Sequence, residues 1–239
     1  MKSTSYWTIT NTPLYSFIFT LPLLLVYEIG LFFIASNDLP LLRNGADVLM
    51  RQFLEMFGVA GSYGFGGTFL VGFMIAFLRQ KKELEASQIK GEYLLTMFFE
   101  SLGWAFLLII LMVRAPEYLM LTKDERLLQQ VVLAVGAGIY EEFVFRVILI
   151  TGFAYILGLI FKWGSLGKNI GSVFFAAIIF SAFHFAGPYG EDPSFYLFFI
   201  RSIAGIFLGV IYILRGFGIA AYTHTIYDLF VLVRFTTSD

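Results

Sequence analysis

Glu141, Glu142 and Arg146 lie inside an apolar run that extends from Leu127 to about Phe161. A charge near the centre of a membrane helix costs at least ~2.5–3.5 kcal/mol on insertion scales. A sequence that places an acidic pair and a base there needs a reason to keep them. The chain's 2 histidines, His184 and His224, also fall within apolar segments. Carboxylates and imidazoles are the groups that exchange protons with water near neutral pH. These positions are therefore expected to converge on one polar site inside the membrane. Two chemistries are open to them: direct activation of water, or a bound metal that activates it.

Spacing sharpens this expectation. Neighbouring residues of an α-helix point about 100° apart, so Glu141 and Glu142 are predicted to face different ways. Glu142 and Arg146 are four apart with the acid first, the favourable order for an ion pair. That pairing would hold Glu142 ionised and leave Glu141 as the candidate general base. Phe180 and His184 share one helical face, as do His224 and Asp228. Asp228 is expected to accept from His224 or from a bridging group, fixing the tautomer of His224. Phe180 is expected to shape the site by packing. Other hydrolase patterns are missing: there is no His-Glu-x-x-His, no Gly-x-Ser-x-Gly and no cysteine.

The surrounding chain must be a membrane domain. It is 59% hydrophobic and 14% charged, with a mean hydropathy of +0.81, whereas soluble domains carry about 25% charged residues. A net charge of -1 offers nothing to nucleic acid. With roughly 20 apolar residues needed to cross, the spans are predicted at Leu14–Ala35, Val59–Leu78, Tyr93–Val113, Leu127–Phe161, Ile170–Phe185, Phe195–Leu214 and Gly218–Val233. The first is too long for a signal-peptide core and is read as a retained span. Leu41–Phe57 alternates apolar and charged faces and is expected to lie at the interface. The basic stretch Arg79–Lys82 is expected on the cytoplasmic side. Leu127–Phe161 is too long for one simple crossing. It either projects beyond the bilayer or breaks near Thr151–Gly152, giving seven or eight spans. The fold class is thus an all-α polytopic bundle, read as a single domain over residues 1–239.

At this level of detail the residues resemble a known family. Glu141-Glu142-x-x-x-Arg146, Phe180-x-x-x-His184 and His224-x-x-x-Asp228 look like the three motifs of the CPBP family. That family includes the type II CAAX prenyl endopeptidases and the bacterial bacteriocin-processing or self-immunity (Abi) proteins. The resemblance covers about Leu127 to Val233. It implies an intramembrane endopeptidase acting on a membrane-associated peptide or protein. It further implies that Glu141 and His184 activate the attacking water, and that His224 and Asp228 stabilise the oxyanion. Asp228 stands where the prenyl endopeptidases carry asparagine. An ionised aspartate cannot donate a hydrogen bond, so Asp228 would be protonated, orient His224 or bind a cation. The resemblance also points to a metal-free mechanism and to a bacterial plasma membrane. No cofactor is expected, although His184, His224 and Asp228 are types that could ligate zinc.

Competing readings start from the same residues. The Glu–Arg pair could simply lock helices together. Glu141, His184 and Asp228 could form a proton relay in a transporter. The chain could also be an immunity or scaffold protein that retains the motifs without catalysis. Glu28, Glu100 and Arg201 are further charges in apolar segments and are expected to pair structurally or to lie at the interface.

Overall fold

In a computed structural model the described residues are 5–34, 78, 89–112, 127–186 and 191–236. Among them all regular structure is helical. The helices are α1 (Tyr6–Thr10), α2 (Pro13–Phe33) and α3 (Gly91–Leu111). They are followed by α4 (Leu127–Ile160), α5 (Ser165–Phe183), α6 (Phe195–Arg215) and α7 (Phe217–Thr236). Five of these, α2 to α6, are long and apolar enough to cross a membrane. The protein is a multi-pass membrane protein. The segments Leu41–Phe57 and Val59–Leu78 and the basic stretch Arg79–Lys82 fall outside the described residues, apart from Leu78. The expected count of seven or eight spans includes that region.

Local chemistry explains where the helices begin and turn. Thr12 caps α2 by accepting from the Tyr15 amide at 3.4 Å, and Pro13 fills the first helical position. Ser194 caps α6 in the same way through Leu197. Between α6 and α7 the chain reverses at Gly216, whose φ is +80°, a conformation that disfavours a side chain. A Cβ there would also meet Asn11 Oδ1 at 3.1 Å.

Helix α4 resolves the question raised by its length. It runs unbroken for 34 residues past Thr151 and Gly152. Its middle is π-helical over Ala137–Glu141 and Phe143–Ile150. Wider i→i+5 turns fit more residues into a given length and change the direction in which each side chain points. The C-terminal part, Thr151–Ile160, buries only Leu157 and presents Tyr155, Leu159 and Ile160 outward.

Helix α7 is the hub. It packs against α2, α3, α4 and α6, and Ile219, Ala220, Ala221 and Thr223 are fully buried. Residues 217–225 are enclosed by protein, which lets this helix carry His224, and Asp228 lies one turn on and partly exposed. Gly138 brings α4 close to it: a Cβ at that position would lie 2.8 Å from the Ala221 carbonyl and closer still to Thr225. On the opposite side, Gly205 of α6 lies against Ala177 and Phe180 of α5, the small-residue contact by which membrane helices approach closely.

Candidate active site

Glu142 is at the centre of the polar cluster and is fully buried. Its Oε1 accepts from His224 Nδ1 at 2.8 Å. Its Oε2 lies 2.9 Å from Arg146 Nε. The guanidinium meets that oxygen off-axis, so the contact is an ion pair without an aligned hydrogen bond. The other ring nitrogen of His224, Nε2, is 3.5 Å from Asp228 Oδ2. That is ion-pair range but long for a hydrogen bond. The sequence reading has Asp228 accept from His224 or from a bridging group; the short partner of His224 is Glu142.

Glu141 ends the first π-helical stretch and is buried, at 7% exposure. Its carboxylate is within electrostatic reach of His184, His224, Arg146 and Asp228. Glu142 also acts on His224 and Asp228. Both carboxylates act on His224 and Asp228 of α7; Glu141 ends one π-helical stretch and Glu142 lies between the two.

His184 sits just past the end of α5 and is half-buried. Its Nδ1 bonds the Phe180 carbonyl at 2.9 Å. A carbonyl only accepts, so Nδ1 carries the proton and a neutral ring keeps its lone pair on Nε2. Phe180 lies among the charged groups. The Arg146 guanidinium covers its ring at 4.8 Å, and the imidazoles of His184 and His224 lie 4.9 Å and 6.3 Å away. The ring supplies a cation–π face to Arg146 and keeps water away from it.

A family model described as "Rce1-like: Type II CAAX prenyl endopeptidase Rce1-like" matches residues 123–230. This match falls on the stretch that resembles the CPBP family. No curated protein and no solved structure matches the chain.

The Rce1-like segment contains every clustered residue from Glu141 to Asp228. Among the described residues, no group of three or more His, Asp or Glu side chains is placed to hold a metal ion. Two of the remaining intramembrane charges pair outside the cluster. Glu28 accepts from the Tyr140 hydroxyl at 3.0 Å, and Glu100 is bound by Arg215. Arg201 lies inside the Rce1-like segment. It pairs with Glu191 but also lies within electrostatic reach of His184 and Tyr227. Sequence reasoning set Arg201 aside with the structural charges. Its position in an apolar run was the available signal, but nothing in the spacing tied it to His184.

Proposed function

We propose that this protein is an intramembrane endopeptidase that hydrolyses a peptide bond of a membrane-associated substrate with water activated by Glu141 and His184. The match of residues 123–230 to a family of membrane proteases supports the reaction class. The observation that carries the residue assignment is the position of Glu141, a buried carboxylate in electrostatic contact with imidazoles from two other helices.

In this reading Glu141 removes a proton from water while Nε2 of His184 accepts a hydrogen bond from the same molecule. The hydroxide oxygen bonds to the peptide carbonyl carbon, and the carbonyl becomes an oxyanion. His224 faces that oxygen through Nε2–H. Its Nδ1 is occupied by Glu142, so donation from Nε2 requires the imidazolium form, with Glu142 and Asp228 as counter-charges. The long Asp228 contact leaves that proton available. Collapse of the tetrahedral species breaks the C–N bond, and Glu141 returns its proton to the leaving nitrogen. Asp228 thus orients and balances His224 and need not donate. Arg146 and Phe180 hold Glu142 in place.

The mechanism is proposed to be metal-free, because both nitrogens of His224 already face carboxylates. The bilayer is proposed to be a bacterial plasma membrane. Reconstituted wild-type protein should cleave a quenched-fluorescence peptide held in proteoliposomes. Glu141→Gln should lower the rate about 10²–10⁴-fold, the range for loss of a general base, with unchanged thermal stability. Equal rates in the two proteins would favour the scaffold or transporter readings instead.

A further inference from the structure

Arg201 is 94% buried, with 6% of its surface exposed. Its Nη2 donates to Glu191 Oε1 at 2.5 Å. Its Nη1 is also buried and finds no hydrogen-bond partner among the described residues. A guanidinium presents a rigid fork of N–H groups suited to carboxylate oxygens. Here one tine is engaged and the other is not. A buried donor left unmade is costly, so a ligand that completes the fork is favoured there.

The location gives that vacancy a meaning. Arg201 lies over the ring of Phe185, 5.7 Å from its centre. Phe185 adjoins His184, and the Glu191 amide donates to the His184 carbonyl at 3.0 Å. Arg201 is therefore tied to the residue after His184 by its guanidinium and to His184 itself through Glu191. The Tyr227 hydroxyl, buried and without a hydrogen-bond partner among the described residues, lies within electrostatic reach of the same guanidinium. Arg146 also keeps an unpartnered Nη2, but it is 1% exposed and lies against the Phe180 ring. Arg201 instead opens outward through Glu191, whose side chain is 44% exposed.

We propose that Arg201, aided by the Tyr227 hydroxyl, binds a carboxylate of the substrate beside His184, in the position that Glu191 partly fills. This rests on the peptidase reading. The carboxylate is either the C-terminal group of the peptide or an acidic side chain close to the scissile bond; the recognition chemistry is the same. Arg201 selects and places the substrate, and Glu191 competes for the same fork.

The test is a binding measurement on the full-length Glu141→Gln protein in detergent, where no turnover interferes. The probe is a dansylated apolar pentapeptide in three forms: free C-terminal carboxylate, C-terminal carboxamide, and carboxamide carrying one glutamate. At least one carboxylate form should bind about 10–100-fold more tightly than the plain carboxamide, the range for a charge-assisted contact. Preference for the free acid identifies the terminal carboxylate, and preference for the glutamate form identifies the side chain. Adding Arg201→Gln should abolish the preference and leave carboxamide binding unchanged, while Arg201→Lys should keep part of it. Glu191→Gln, which leaves Arg201 in place, should tighten binding of the preferred form. Equal binding of all three forms, or a preference that survives Arg201→Gln, would overturn the proposal. So would Glu191→Gln weakening the preferred form as much as Arg201→Gln does. Hydrolysis by the wild-type protein is scored separately, so its absence would count against the peptidase reading and not against the carboxylate site.

Discussion

Arg215 and Arg146 are both buried guanidinium groups facing a glutamate, at 4% and 1% exposure. Arg215 meets Glu100 with two well-aligned bonds, Nε to Oε1 at 2.5 Å and Nη2 to Oε2 at 2.8 Å. Nη2 also donates to Thr10 at 3.0 Å. Glu100 accepts further from Tyr6 at 2.7 Å and Trp104 at 3.4 Å, and Trp7 lies under the guanidinium at 4.3 Å. Burial, and then the hydrogen bond to Glu100, push the Tyr6 phenol up to about 12, so it remains a donor at any physiological pH. The Arg146–Glu142 pair has no such completion. Its contact is off-axis, Arg146 Nε and Nη2 lack hydrogen-bond partners among the described residues, and Glu142 turns its other oxygen to an imidazole. A buried pair contributes to stability only when its remaining hydrogen-bonding positions are satisfied. The first cluster meets that condition and joins α1, α3 and α6. The second leaves capacity unused around two histidines, as expected where a structure keeps groups for chemistry.

The contrast can be broken by removing one partner from each pair. Arg215→Met should be the most damaging to the fold. It leaves Glu100 without its cation and should cost about 3 kcal/mol, the low end for a broken buried pair. The low end applies because the Glu100 side chain keeps 14% exposure. Thermal unfolding in detergent would read this, and the activity of the protein that remains folded should be unaffected. Glu142→Gln should do the reverse. It keeps the shape and leaves Glu141 as a counter-charge to Arg146, but it weakens the hold on His224, so kcat should fall about 10–100-fold with a smaller loss of melting temperature than in Arg215→Met. A melting loss in Glu142→Gln matching that of Arg215→Met would erase the distinction between the clusters.

Smaller changes sharpen the comparison. Tyr6→Phe deletes one charge-assisted bond to a partly exposed carboxylate and should cost about 1 kcal/mol in the same unfolding experiment, with no effect on kcat. A strong chelator should have the least effect. Activity should survive it, and zinc should be well below one per chain. Loss of activity that is restored by added zinc would replace the metal-free mechanism with a metal one.

Much of this molecule was legible in the chain itself. Hydropathy and length establish a membrane protein and locate the helices, because a bilayer imposes a minimum apolar run. The four-residue spacing from Glu142 to Arg146 determines that they can pair, since that is a property of one turn. The residues that stand out are visible for the same reason: charges and imidazoles in hydrocarbon are costly. The tertiary structure decided the rest. The π-helical stretches Ala137–Glu141 and Phe143–Ile150 depart from the 100° spacing that a sequence reading assumes. His224 takes Glu142 as its short partner because Gly138 lets α7 press against α4, and a contact spanning 82 positions leaves no periodic trace. The same holds for Arg201, whose approach to His184 depends on how α6 lies against α5. Local spacing encodes which groups share a helix face. Which faces meet is set by packing between helices far apart in the chain.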